Sequence, residues 1–336
     1  MAMRTIDLFA GIGGLRRGFE RQGFQTVFAN DFEASCKITY DLNYPNTPLT
    51  LGDIREINSA DLPQYDMLLA GFPCQPFSVA GYRQGFDDEK GRGDLFFYIA
   101  RILEQTKPMG FVLENVKNLK THDKGRTFAI IKKTLEVELG YTLKEAVLNT
   151  LDYGDIPQNR ERIFMVGFQD NAMTERFEFP QKIPLITAFQ DLLEPIVADE
   201  FYYMGKPLYE KIVSQVIRRD RVYQYRRMYV RENKRGVCPT LTANMGEGGH
   251  NVPIILDDKG IRKLTPRECA RLQGFDDAFL LPSQLSHAKL YKQMGNSVTV
   301  SVVERIAHQV LQAIGESAYV VPQFAPLSTT SIFANC

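Results

Sequence analysis

Apolar residues fall in short runs separated by helical stretches. Residues 4–9 alternate into a short strand, followed by a glycine loop and a helical stretch from Leu15 to Gln22. Val27–Asn30 reads as a second strand ending at Asp31, and Glu33–Leu42 as helix. Leu51-Gly52-Asp53-Ile54 and Met67–Phe72 supply further strand ends. Leu95–Glu104 is amphipathic at helical spacing. Gly110–Val116 is a strand, Arg126–Glu138 a helix and Arg162–Phe168 a strand. This alternation predicts an α/β fold with a doubly wound, mostly parallel sheet, whose ligands sit beyond the carboxyl ends of the strands.

Near residue 180 the texture changes. Pro180, Pro184, Pro195 and Pro207 interrupt the pattern, and a glycine-rich stretch follows at Asn244–Asn251. Residues 181–261 therefore read as a second, smaller domain. Residues 1–180 form the first, and 262–336 return to it. Asn296-Ser297 is expected to cap a helix whose apolar face is Val302, Val303, Ile306, Val310 and Ile314. The segment after Gly315 reads as a loosely attached tail.

Composition narrows the class. A chain of 336 residues with 44% hydrophobic content can bury a large core. No apolar run is long enough for a membrane span, and no secretory signal precedes Arg4. The five cysteines show no metal-type spacing; no metal is expected, and their scatter fits a reducing cytoplasm. Net charge is zero but unevenly spread. Between Lys206 and Gly236 stand ten Lys/Arg against three acids, with Tyr223, Tyr225 and Tyr229 among them. A solvated helix face is the plain alternative, but acids are too few to pair these cations. A phosphate-binding surface fits better.

Cys74 follows the buried run Met67–Phe72 and opens a loop, where an enzyme would hold a nucleophile; an inert packed thiol is the alternative. The loop Phe9-Ala10-Gly11-Ile12-Gly13-Gly14 joins a strand to a helix, and such turns admit a ligand to backbone N–H groups. Arg16 occupies the third glycine position of the dinucleotide motif, and a cofactor without a pyrophosphate would not need that glycine. Asp31, about 20 residues on, stands where an acid accepts ribose hydroxyls. Phe32 could cover an adenine ring, and Asp53 could accept its amino group. Together these describe S-adenosylmethionine.

Five segments in order carry a resemblance: Thr5–Gly14, Pro73-Cys74-Gln75, Phe111–Val116, Gln158–Arg162 and Gln293–Val298. Across about residues 4–180 and 262–314 the chain resembles the bacterial DNA (cytosine-5-)-methyltransferases of type II restriction–modification systems. The resemblance implies a Rossmann-like methyltransferase fold with a smaller DNA-recognition domain at 181–261, and S-adenosylmethionine as methyl donor. It implies cofactor contacts from Phe9, Ala10, Gly11, Gly13, Gly14, Asp31, Phe32, Asp53, Ile54, Pro73, Asn296, Ser297 and Val298. Cytosine C5 is a poor nucleophile. A Cys74 thiolate adding at C6 would make C5 able to take a methyl group. Glu114 would hold the exocyclic amine and N3, Arg162 would bond the base O2, and Arg160 would support the site or a phosphate. For Glu114 a surface acid, and for the arginines an ion pair with Glu161, are the alternatives. The target base must be flipped out of the duplex. Gln75, Ser78, Arg83, Arg92, Arg226, Arg227, Arg231, Thr240 and Asn244 are the expected DNA contacts. The loop from Pro76 to Gly93 reads as a mobile cover.

Two positions depart from the family pattern. Gly154-Asp155-Ile156-Pro157 has one residue more than usual before the arginine pair, and Asp276 replaces a usual proline. The resemblance further implies a double-stranded DNA partner, a monomer, a bacterial cytoplasmic and nucleoid-associated location, and a companion endonuclease with no stable complex. An RNA cytosine-C5 methyltransferase, a catalytically silent DNA-binding regulator and a nicotinamide oxidoreductase remain alternatives.

Overall fold

A computed structural model describes residues 2–73, 95–226, 228–233, 235–246 and 251–315. In chain order the catalytic half runs β1 (Arg4–Leu8), α1 (Gly14–Glu20), β2 (Gln25–Asp31), α2 (Ala34–Asn43), β3 (Thr50–Leu51), β4 (Met67–Gly71), α3 (Leu95–Thr106), β5 (Gly110–Val116), α4 (Arg126–Lys133), β6 (Thr142–Asn149), α5 (Thr150–Tyr153), β7 (Gln158–Asn159), β8 (Glu161–Phe168) and α6 (Asn171–Arg176). Seven strands form one sheet in the order β3-β2-β1-β4-β5-β8-β6. β1 to β5 pair in parallel, whereas β8 runs antiparallel to both β5 and β6. The order reverses at β1, between β2 and β4, which is where an open α/β sheet offers a crevice at its carboxyl edge.

Alternate residues of the strands serve two cores. Ile6, Leu8, Leu68, Ala70, Phe111 and Leu113 pack with α3 and α4 through Phe96, Ile99, Leu103, Phe128 and Ile131. Leu69, Val112, Phe164 and Val166 pack on the other face with Leu15 and Phe19 of α1. The same layer receives Val302, Val303, Ile306 and Val310 of the last described helix, α10 (Val300–Ile314). Each of these four side chains is essentially buried, which stabilises by roughly 1.5–3 kcal/mol apiece.

The second half holds α7 (Tyr209–Ile212), β9 (Val222–Arg226), β10 (Tyr229–Asn233), β11 (Cys238–Pro239), β12 (Ile254–Leu256), β13 (Ile261–Lys263), α8 (Pro266–Leu272) and α9 (His287–Asn296). A four-stranded sheet, β10-β9-β12-β13, has its own apolar cluster of Tyr203, Leu208, Ile212, Val216, Tyr223, Ile254 and Ile261. β13 crosses the boundary expected between residues 261 and 262. A further strand pair, β11 with β7, ties the end of this region to the segment preceding β8.

The capping expectation at Asn296-Ser297 is corrected. α9 ends at Asn296, with Ser297 as its C-cap residue, and Thr299 stands at the N-cap of α10. Ser297-Val298-Thr299 is a corner between two helices. The expected tail, residues 316–336, lies outside the described residues.

Candidate active site

The glycine loop is built by β1 and α1. Gly13 has φ of +83° at the N-cap of α1, and an added Cβ would lie 2.5 Å from the Tyr44 ring. Gly14 allows a close approach: a Cβ there would meet Ser297 Oγ and Val298 Cγ2, both at 2.8 Å. The loop and the α9–α10 corner, far apart in sequence, are thus in contact. Gly11 donates its N–H to Asp31 Oδ2 at 2.8 Å, and Glu33 donates to Asp31 Oδ1 at 2.9 Å. Burial pushes the Asp31 carboxyl up; those amide bonds oppose the shift. Phe32 leaves 69% of its surface exposed. Asn30 Nδ2 bonds the carbonyls of Thr50 and Gly52, both at 3.0 Å, and so joins the end of β2 to the turn that carries Asp53. Asp53 caps a 3-10 turn at Ile54–Glu56 and holds Arg55 in a bidentate pair. A Cβ on Gly11 or Gly52 would meet nothing within 4 Å. Open space beside an acid poised for hydroxyls and an exposed ring fits an adenosine-bearing cofactor.

Glu114 lies near the end of β5, register-paired with Gly71 at the end of β4. Its Oε1 accepts from Arg162 Nε in a 3.0 Å ion pair with both side chains largely buried. Burial raises the Glu114 pKa, with Arg162 and Arg160 working against the shift. Asn115 Nδ2 donates to the Phe72 carbonyl at 2.9 Å and fixes the exit of β4. The exit leads through exposed Pro73 to Cys74. Cys74 itself lies outside the described residues, as do Gln75, Ser78, Arg83, Arg92 and the rest of the expected covering loop.

Arg160 and Arg162 have opposite surroundings. Arg160 is 2% exposed. Its Nη1 donates to Leu241 O at 2.8 Å, and its Nη2 to Gly295 O at 3.2 Å and Ser297 O at 2.5 Å. Glu161, the alternative partner for the two arginines, pairs instead with Lys117, at 2.9 Å. Gln158 adds a second tie. It bonds Leu272 O through Nε2 and accepts from the Leu241 N–H at 3.0 Å. Sequence reasoning passed over this amide, although a polar residue between apolar Ile156 and the arginine pair was the available signal.

Both departures from the family pattern have a structural use. The extra residue, Asp155, adopts φ of +48°, and its carboxylate accepts from the Ile186 and Thr187 N–H groups and from Thr187 Oγ1. Arg162 reaches Glu114 all the same. Asp276 pairs with Arg17 at 2.6 Å and Arg21 at 2.7 Å, fastening its loop to α1.

The basic segment is less free than its charge count implies. Arg218 and Arg221 pair with Asp220, Arg221 also with Glu232, and Arg219 with Asp258, an acid beyond the counted stretch. Arg226 and Arg231 are exposed and have no ion-pair partner among the described residues. Thr240 donates from Oγ1 to Asn159 O at 2.6 Å, and Asn244 Oδ1 accepts from Thr242 at 2.5 Å. The side chain of Arg227 lies outside the described residues. Among the described residues there is no cluster of metal-ligating side chains and no helix long and apolar enough to cross a membrane.

The profile of the C-5 cytosine-specific DNA methylases matches residues 3–312. The type II methyltransferase M.Bsp6I of Bacillus sp. (strain RFL6) is 49% identical over 93% of this chain and 99% of its own. M.HhaI of Haemophilus parahaemolyticus is 38% identical over 94% and 97%. Among solved structures, S. pombe Dnmt2 superposes with a TM-score of 0.71 over 94% of this chain and 100% of that one, at 20% identity, a likeness of fold.

Proposed function

The chain belongs to the C-5 cytosine-specific DNA methylase family and is a type II DNA methyltransferase acting on cytosine C5; we propose that Cys74 opens its reaction by covalent addition to C6 of a flipped-out cytosine. The observation that carries this reading is the pairing of Gly71 with Glu114. It sets a buried carboxyl, held by Arg162, beside the strand end that leads to Cys74. S-adenosylmethionine, when bound, supplies an electrophilic methyl group.

This chain's residues do the rest. The Asp31 carboxylate takes the ribose hydroxyls, Phe32 covers the adenine, and the carboxylate of Asp53 and the backbone at Ile54 take its polar edge. Phe9, Ala10, Gly11, Gly13 and Gly14 line the methionine end, closed by Pro73, Asn296, Ser297 and Val298. Glu114, whose raised pKa favours the proton, donates to cytosine N3 and holds the exocyclic amine. Arg162 takes O2. Withdrawal of electrons from the ring makes C6 open to the thiolate, and addition there makes C5 nucleophilic. Arg160 is a positioning residue in this scheme. Residues 181–261 form the DNA-recognition unit on the catalytic body of 1–180 and 262–336. Its substrate is double-stranded DNA, which the protein engages as a monomer, in the cytoplasm and on the nucleoid. The modification protects that DNA from a companion endonuclease without a stable complex between the two.

The test is a duplex carrying 5-fluorocytosine in a library of contexts, incubated with S-adenosylmethionine. A covalent complex stable to denaturation is expected with the native chain and none with Cys74→Ser, which should still bind cofactor by calorimetry. A complex of equal yield with the serine variant would refute the nucleophile.

A further inference from the structure

β9 and β10 form an antiparallel hairpin in which Arg231 stands opposite Gln224, Asn233 opposite Val222, and Tyr229 opposite Arg226. The strand pleat sends alternate side chains to opposite faces. Tyr223, Tyr225 and Val230 face the apolar cluster of the small sheet. Gln224, Arg226, Arg231 and Asn233 lie on the other face. There they line a groove of about 220 Å³, together with Asn159 and Thr240. Among the described residues no carboxylate lines this groove. Neither guanidinium in it has an ion-pair partner among the described residues, in contrast to Arg218, Arg219 and Arg221. Two guanidinium forks, together with amide side chains, make a surface rich in hydrogen-bond donors, with no competing acid among the described residues. Thr240 of the groove donates to Asn159 O, and the neighbouring Leu241 O accepts from Arg160, so the groove is tied to the segment that leads to Arg162.

We propose that this groove reads base edges, and that Arg226 and Arg231 select guanine. A guanidinium bonds guanine O6 and N7 with two parallel donors, a match no other base edge offers as well. Gln224, directly across from Arg231, reaches the same base pair through its amide. Arg218, Arg219 and Arg221, held by acids, shape the hairpin and do not discriminate. The recognised sequence therefore contains at least one guanine besides the one paired with the methylated cytosine. This inference rests on the methyltransferase reading above.

The test maps methylated cytosines by bisulfite sequencing in a duplex library of random context, with total methyl incorporation measured alongside. The native chain should methylate only where the additional guanine is present. Arg226→Ala or Arg231→Ala should lose discrimination at one guanine position by roughly 10-fold or more. Arg231→Lys, which keeps the charge without the fork, should relax it too. Arg219→Ala should leave the sequence unchanged. Cofactor affinity equal to the native value shows that each variant is folded. The proposal is overturned if both alanine variants keep the native sequence and show only weaker binding with a flatter salt dependence, the signature of phosphate contacts. It is also overturned if the native sequence holds no additional guanine. A native chain that methylates no duplex cytosine overturns the methyltransferase reading instead, and this inference with it.

Discussion

Replacing Arg160 should unfasten the protein before it disturbs any chemistry. Its guanidinium is buried and satisfies three backbone carbonyls, of Leu241, Gly295 and Ser297. Ser297 O keeps a long contact from Gln273 Nε2 at 3.4 Å, so Arg160→Ala orphans chiefly Leu241 O and Gly295 O. An unmade hydrogen bond at a buried polar group costs about 1–3 kcal/mol. Two of these, with the cavity left by the side chain, put the loss at roughly 3–5 kcal/mol. That is a large part of the ~5–15 kcal/mol that holds a typical domain. In urea, with a slope of about 3 kcal/mol per molar, the unfolding midpoint should fall by roughly 1–1.7 M. Arg160→Lys retains the charge but offers a point rather than a fork, and should fall between the two. Circular dichroism in urea reads the midpoint, and calorimetry reads cofactor binding. An alanine variant that unfolds at the native midpoint, binds cofactor and DNA normally and yet loses methyl transfer would refute the reasoning. Arg160 would then act on the substrate.

Asp31→Ala should weaken S-adenosylmethionine binding by about 1–3 kcal/mol through lost ribose hydrogen bonds; an unchanged affinity by calorimetry would make the residue purely structural. Glu114→Gln should lower kcat by roughly 10²–10⁴-fold with cofactor affinity intact, since an amide cannot give up a proton to the ring; single-turnover kinetics checks it. Asp7, on β1, is fully buried, accepts among the described residues only a 3.3 Å bond from the Arg16 N–H of α1, and has its pKa pushed up by burial to about 8. The folded chain therefore binds that proton more tightly than the unfolded one. The stability it contributes is complete below about pH 4 and is lost as pH rises through about 8. Asp7→Asn mimics the protonated form, so its urea midpoint should exceed the native one by a margin that widens from pH 5 to pH 8; parallel curves would refute this.

The strands of the catalytic sheet were legible because buried parallel strands begin as unbroken apolar runs, as at Met67–Gly71 and, before Glu114, at Gly110–Leu113. β6 went unread. It lies at the sheet edge, and Lys144 and Glu145 interrupt its pattern. The direction of β8 leaves no mark in its own residues. Arg160 and Arg162 look equivalent in sequence, since the carbonyls that hold one and the carboxylate that holds the other come from residues 241, 295, 297 and 114. A charge count over one segment likewise missed Asp258, which folding brings to Arg219. The alternation of Gln224 and Arg226 with Tyr223 and Tyr225 was readable as a two-faced strand; the groove it faces was not.

The packing of α10 against α1 has a consequence for the order of events on the ribosome. α1 emerges early, yet Gly18 is fitted so closely to Val303 that a Cβ would stand 2.5 Å from it, and Leu15 and Phe19 share their core with Val302 and Ile306. At about 5–20 residues per second, synthesis of the chain between Glu20 and Val300 occupies on the order of tens of seconds. Throughout that time the helix behind the glycine loop lacks the cover that α10 gives it, and the corner at Ser297-Val298 that meets Gly14 does not exist. A nascent or prematurely released chain therefore lacks one wall of its cofactor cleft. Methyl transfer therefore waits until synthesis has passed Val300, and a translation pause before residue 300 leaves an adhesive apolar helix waiting for its partner.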